Sequence, residues 1–338
     1  MTKRSNAPRS TAGARSVLAV ALVMLGELGA PCLAHATEAI AVNLDEEAGP
    51  PAPKKPKREE EEPTVKHVVA NYSLPWELRP VLPNSMVRSN NFFAFYGVDG
   101  ATILSEITAS YKFIPRISAM VKLVAAEDSP PTGQGGFGLA NPLVGAQVGF
   151  WPAKSWKLGL FLGVTVPTGV GGGAPADKGG VDVIYAGMLA RSGFQNPLFM
   201  PDYLAGWPGF DLAYVTHGLT VQAEVSMAFM TKVRGPQTEK SSNVDLTMGL
   251  HAGYFFFPWG SFGVDLRHQR WLTVPSFVLQ DPTRELRDIS TIGLGPRFLV
   301  KLSEDLTWRP GISMSFGLDH PVSSSHYKTV QIDLPFSF

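Results

Sequence analysis

Chemistry is sought first where a nucleophile meets a base. His320, Ser323, Ser324, Ser325 and His326 fall within seven consecutive positions, and they are the residue types of a hydrolase that needs a nucleophile, a base and an orienting group. Serine and histidine are also ordinary loop residues, and no hydrolase motif surrounds these five. No enzymatic role is expected; a lipid-modifying activity that depends on His326 is a minor alternative. His251 has no second ligand at a metal-binding spacing, so it is expected to hydrogen-bond inside the fold rather than to hold a metal. Gly169 to Gly173 lack the Lys-Ser/Thr that completes a phosphate loop and read as flexible chain. No metal and no cofactor are implied.

A second kind of chemistry recurs more often. Glu106, Glu224, Asp245, Asp265, Arg267, Arg297, Arg309 and Asp333, with Lys112, Lys122 and Lys301, sit at alternate positions of otherwise apolar stretches. Alternation of period two marks a strand whose faces meet different surroundings. Near the end of the chain, Val330, Ile332, Leu334, Phe336 and Phe338 oppose Thr329, Gln331, Asp333 and Ser337. The same pattern runs through Trp156 to Val166, Leu219 to Phe229, Val244 to Tyr254 and Leu306 to Phe316. A final strand that closes on Phe336-Ser337-Phe338 resembles the insertion signal of outer-membrane barrels, in which the apolar face meets lipid. The polar face then lines a lumen, and His251 joins the charged residues there.

The spacing of turns agrees. Short turns are expected near Ile114-Pro115, Pro152 to Ser155, Thr216 to Gly218, Pro258 to Ser261 and Ser303 to Asp305. Longer Gly, Pro and Ser-rich segments lie between them, at 127–137, 168–205, 232–243, 275–287 and 319–325. With a tight first hairpin at Asp99-Gly100, the expected fold is all-β: a transmembrane antiparallel up-and-down barrel of about 12 strands, with 14 as the alternative. Val181 to Arg191 also looks strand-like, but counting it gives an odd number; 168–205 is therefore read as one outer loop, folded into or over the lumen. Tyr111, Phe113, Phe150, Trp151, Trp156, Phe256, Phe257 and Trp308 cluster beside the short turns, as aromatic girdles do.

Residues 1–36 read as a signal peptide, with Lys3, Arg4, Arg9 and Arg15 before the apolar stretch Val17 to Leu25 and a cleavage site at Ala34-His35-Ala36. Cys32, the single cysteine, falls within it, and Pro31 stands where a lipidation signal wants a small residue. Residues 37–87 carry Pro50-Pro51-Ala52-Pro53, a basic run and then Glu59 to Glu62, and read as a disordered periplasmic linker; the barrel is assigned to 88–338. Formal net charge is zero, which argues against nucleic acid as a partner. Past the N-terminus no apolar run approaches the roughly 20 residues of a membrane helix.

The interior charges are mixed and nearly balanced, so no ion-selective ring is expected. They either pair to hold the barrel's shape or line a solute pathway. The inward glycines Gly159, Gly163, Gly249, Gly253, Gly293, Gly295 and Gly311 either leave room or permit strand bending.

The segment Asn141 to Gly173, with its glycine-spaced strands and Val166-Pro167-Thr168-Gly169, resembles the outer-membrane family typified by the phenol meta-pathway degradation protein. That resemblance implies passage of hydrophobic or aromatic compounds across the bacterial outer membrane, and no catalytic residues. The expected function is passive passage of small solutes, with a closed structural or surface-binding barrel as the alternative. Expected partners are outer-membrane lipid, the barrel-assembly machinery through the C-terminal strand, and a small solute.

Overall fold

Twelve runs of alternating sequence become strands: β1 (Met86–Tyr96), β2 (Gly100–Ile114), β3 (Ile117–Ser129), β4 (Leu143–Phe150), β5 (Trp156–Thr165), β6 (Tyr203–Thr216), β7 (Leu219–Lys232), β8 (Ser242–Phe257), β9 (Gly260–Thr273), β10 (Asp288–Phe298), β11 (Gly311–Gly317) and β12 (Lys328–Ser337). Short rungs at Gly136–Leu139, Val300–Lys301 and Thr307–Trp308 extend the sheet at its rims. The computed structural model describes residues 72–96, 100–129, 135–170, 178–235, 241–280, 285–320, 322–323 and 328–338. Each strand pairs antiparallel with its neighbours, and β1 pairs with β12 from Met86↔Ser337 to Phe95↔Lys328, which closes a 12-stranded barrel in which every one of the twelve strands has a partner on both sides.

The faces sort as the alternation demands. In β7, Thr220, Gln222, Glu224 and Ser226 are buried while Val221, Val225 and Phe229 are exposed. In β5, Leu160 and Leu162 are 44% and 61% exposed, whereas Phe161 between them is 4% exposed. An outer surface carrying Leu123, Val144, Leu160, Leu250, Leu266 and Ile332 suits hydrocarbon rather than water. No helix among the described residues is long and apolar enough to cross a membrane.

The short turns gather at one end, with the start of β1 and the end of β12. His217 and Gly218 both have positive φ (43° and 85°), the geometry of a two-residue turn whose twist matches its strands. Aromatic side chains ring this end: Trp156 meets Tyr214 at 5.2 Å, Trp259 stacks on Phe257 at 5.1 Å, and Trp308 stacks on Phe336 at 5.8 Å.

The long connections crowd the other end. Val181–Arg191, strand-like in sequence, lies within α1 (Lys178–Ala190) and the turn after it. Inside a closed barrel it has no edge to pair with, so its backbone must satisfy itself, and a helix does that. Asn141, fully buried, ties this connection down: its Nδ2 donates to the Met200 carbonyl at 2.7 Å, and its Oδ1 accepts from the Gly169 N–H at 2.9 Å. Val183, Ile184, Met188, Leu198 and Phe199 then pack against Phe92, Leu104, Phe161, Trp207 and Trp271 of the wall.

A larger departure concerns the linker. Of the expected disordered stretch 37–87, residues 37–71 lie outside the described residues, but 72–85 run through the lumen, and β1 begins at Met86. Leu74, Trp76, Leu78 and Val81 are each under 5% exposed. The dense run of charge and proline that set the reading of 37–87 ends near residue 63; beyond it charges and prolines are interspersed with Tyr72, Leu74, Trp76 and Leu78, which carry enough apolar surface to be drawn from water.

The lipid-facing assignment predicts that Leu160→Arg destabilises the barrel by about 2–4 kcal/mol if residue 160 sits near the bilayer midplane. Denaturant unfolding in lipid vesicles measures this, with Lys157→Arg near the girdle as a nearly silent control.

Candidate functional site: a lumen filled from both ends

The wall glycines decide where the inner segment runs. A Cβ on residue 159 would stand 2.6 Å from the Val81 carbonyl oxygen, one on residue 249 would stand 2.9 Å from the Leu78 side chain, and one on residue 311 would stand 2.5 Å from the Trp76 ring. Gly253 is closer still to Ser73. Of the two uses weighed for these glycines, clearance for internal chain is the one realised at 159, 249, 253 and 311. Gly163 instead clears Phe161, while Gly293 faces Ser315 and Gly295 faces the β11 backbone.

Polar wall residues grip the segment by its peptide groups. Arg88 donates to the carbonyls of Pro75, at 3.0 Å, and of Trp76. Gln331 donates to Trp76 at 3.0 Å, Gln222 to Arg79 at 2.7 Å and Gln147 to Pro80 at 2.5 Å. Asp265 accepts the N–H groups of Trp76 and Glu77 at 3.1 and 3.2 Å, and Glu224 accepts that of Arg79 at 2.7 Å. Tyr72 donates its phenol proton to Gln222 at 2.6 Å, and burial pushes that phenol above its ordinary pKa.

Ion pairs complete the packing. Lys122 pairs with Glu106 at 2.8 Å, Arg191 of the outer connection reaches Glu106 at 3.7 Å and Glu77 at 2.7 Å, and Glu77 also meets Arg267. Charges thus alternate across the lumen through wall, outer connection, inner segment and wall. Arg79 pairs with Glu224 at 3.0 Å and Asp211 at 3.5 Å, its guanidinium lying 4.5 Å from the centre of the Phe161 ring. Arg88 and Arg297 share Asp333. Between the two pieces of internal chain remains a cavity of about 50 Å³, lined by Glu77, Arg79, Glu106, Lys122, Phe161 and Trp207 among others. That is room for a few waters.

All but two of the sequence-derived lumen candidates face inward. Glu106, Glu224, Asp245, Asp265, Arg267, Arg297 and Asp333 are all under 5% exposed, and Arg309 reaches the Tyr72 carbonyl at 3.4 Å. Asp245 is held apart from the ion pairs by Asn196 at 2.9 Å and Gln269 at 2.5 Å. Lys112 and Lys301, also expected inside, are exposed, because both stand beside short turns beyond the lumen's rim. Their partners were missed: Glu77, Arg79, Arg88, Arg191 and Asp211. The alternation Tyr72, Leu74, Trp76, Leu78, directly after the charged run, was the available signal for the first two.

His251 is fully buried, its Nδ1 2.6 Å from Asp265 and its Nε2 3.3 Å from the Ser73 hydroxyl. The three residue types are those of a hydrolytic triad. Here Asp265 also carries two backbone N–H bonds, and the Ser73 amide is bound to Thr220 at 2.9 Å, so the line fastens the inner segment to β7, β8 and β9. Of the serine and histidine cluster, His320 and Ser323 are exposed, and Ser324, Ser325 and His326 lie outside the described residues. Among the described residues no group of three or more His, Cys, Asp or Glu is placed to hold a metal ion. Phe336 packs on Trp308, and Phe338 is 58% exposed, with its backbone N–H on the Ser85 carbonyl at 3.1 Å.

No protein-family model and no curated protein matches the sequence. Among solved structures the chain is similar to an outer membrane channel from Pseudomonas putida F1, at 10% identity and TM-score 0.49, covering 78% of this chain and 100% of that one. It is similar also to the KdgM porin in complex with disordered oligogalacturonate, at 11% identity and TM-score 0.43, covering 75% and 99%. The Pseudomonas putida toluene transporter TodX is a third, at 10% identity and TM-score 0.35, covering 80% and 94%. The likeness extends to the barrel and no further.

Glu77→Gln leaves Arg267 unpaired and Arg191 with only the longer contact to Glu106. Breaking a buried pair in this way costs about 3–5 kcal/mol, and the expected result is a lower unfolding temperature in detergent, together with protease cleavage near residue 77 under conditions that leave the wild type intact.

Proposed function

We propose that this protein is an outer-membrane barrel of a Gram-negative-type bacterium through which small solutes pass once internal chain moves aside. The observation that carries the reading is what fills the lumen. The wall is polar and charged, and the space it encloses is stopped by two pieces of chain that belong to no wall strand. The inner piece is held largely by hydrogen bonds and ion pairs, for which water and solute dipoles can substitute, and the outer one by an apolar cluster with a few polar ties. Wall side chains fill the interior of a barrel of about eight strands; twelve strands enclose more space than that, and here the surplus is taken up by chain rather than by bulkier wall residues.

The export-type N-terminus, the apolar outer face and the aromatic ring at the short-turn end support the membrane location. Docking of the C-terminal strand on the barrel-assembly machinery, through Phe336 and Phe338, belongs to the same reading. The resemblance of Asn141–Gly173 to the phenol meta-pathway family adds a finer proposal, that the solutes are hydrophobic or aromatic. The apolar cluster around Phe161, Phe199 and Trp207 at the outer-loop end offers such solutes contact.

A second reading, a closed structural or surface-binding barrel, draws support from the near-complete pairing of the lumen charges and the small residual cavity. Solute flux separates the two. Proteoliposomes are prepared with the wild type, with a variant lacking residues 170–204, and with that variant whose residues 72–83 are also replaced by a Gly-Ser repeat. Flux of small sugars and aromatic acids is expected to rise at each step. An absence of flux in all three proteins, with strand content intact by circular dichroism, would leave the closed barrel as the correct account.

A further inference from the structure

The inner segment is treated by the wall as a ligand would be. Between Pro75 and Pro80, four carbonyls and three N–H groups meet wall side chains on β1, β4, β7, β9 and β12. Fixed donors and acceptors at this density read a peptide backbone rather than a general apolar solute. Its two charged side chains are read as well. Glu77 turns to Arg267, and Arg79 turns to Glu224 and Asp211.

The wall's charges are separated to match. Asp211, Glu224, Asp245 and Asp265 lie on the consecutive strands β6 to β9, and Asp211 and Glu224 are direct cross-strand partners. Like charges placed so repel one another unless a cation stands between them, and Arg79 is that cation. Arg88 on β1 lies six strands from Glu224 on β7 in a ring of twelve, so the two face each other across the lumen. Even with Arg79 in place, the fully buried Asp211 is met, among the described residues, only by that guanidinium, at 3.5 Å, and by the like-charged Glu224 opposite it. The cavity beside Glu77, Leu78 and Arg79 leaves that stretch incompletely packed. A wall made solely to seal the barrel would close both gaps.

We propose that the wall around residues 75–80 is a binding site for short peptides bearing a carboxylate and a cationic group two residues apart, and that Glu77-Leu78-Arg79 occupies it as an internal stand-in. This rests on the reading that solutes pass through the barrel and, in place of the hydrophobic or aromatic class that the family resemblance suggests, gives them another: dipolar peptides, whose side chains between the two charges are free to be apolar. A passing peptide takes over the contacts of residues 75–80, so the charges of the wall are never left bare.

The test is flux through the full chain with residues 72–83 replaced by a Gly-Ser repeat, in proteoliposomes. The probes are the tripeptides Glu-Leu-Arg, Glu-Leu-Glu and Arg-Leu-Arg, each acetylated at its N-terminus and amidated at its C-terminus so that only side chains carry charge, and a neutral trisaccharide of similar size. Glu-Leu-Arg is expected to cross several-fold faster than the other three, with a rate that saturates as its concentration rises. Equal, unsaturable rates for all four overturn the peptide site while leaving solute passage standing; no flux of any probe overturns both. Should the replaced protein fail to fold, the double variant Glu77→Gln/Arg79→Gln is compared instead: it keeps the segment's backbone contacts and removes only its two ion-paired charges, so the segment is loosened and Glu-Leu-Arg is still expected to cross faster than the other three, equal rates again overturning the peptide site.

Discussion

A carboxylate buried in a barrel lumen must find a cation, and Glu77 finds two: Arg191 from the outer connection and Arg267 from the wall. Few other contacts join so many parts of the molecule. Without Glu77 the two arginines would face each other inside a space of low dielectric, an arrangement that costs several kcal/mol for each unpaired charge. Arg191 also reaches Glu106, which Lys122 neutralises from β3. The position of the inner segment, the depth to which the outer connection enters and the charges tolerated on the wall all follow from this one chain of pairs.

Close approach is the second constraint, and it acts through what is missing from the wall. Where the segment passes nearest, the wall carries glycine, and any side chain at 159 or 311 would collide with the Val81 carbonyl or the Trp76 ring. Shape and charge therefore agree: the residues that make room lie along the same path as the residues that bind. Toward the long-connection end the lumen changes character to an apolar cluster around Phe92, Phe161, Trp207 and Trp271. The lumen thus has a polar half filled by the inner segment and an apolar half filled by the outer connection.

Much of this was legible in the sequence, because a barrel strand writes both of its faces into alternate residues. Glu224 and Val225, or His251 and Leu250, could be assigned to the lumen and the outer face without any knowledge of their neighbours. Turn chemistry placed the ends of strands within a few residues, as at His217-Gly218. The partners of those lumen residues were not legible. Arg79 lies 145 positions before Glu224, and no local pattern reports a contact across that distance. The same limit hid the fate of 72–85: charge and proline upstream set the reading of the whole stretch, although Trp76 and Leu78 needed burial. Val181–Arg191 shows the converse. Its apolar alternation suited a strand, and only the lack of any edge to pair with inside a closed barrel turned it into a helix.

The central claim is that the lumen is closed by a segment able to leave it, and a reversible lock tests this most directly. The Leu78 Cγ lies 3.0 Å from where a Cβ on residue 249 would stand, about the spacing a disulfide needs, and the chain's single cysteine, Cys32, lies within the expected signal peptide. Conductance of the Leu78→Cys/Gly249→Cys protein is recorded in planar bilayers before and after reductant. The account predicts a silent protein while positions 78 and 249 are linked and discrete openings once the link is reduced; openings of equal size and frequency in both states would contradict it.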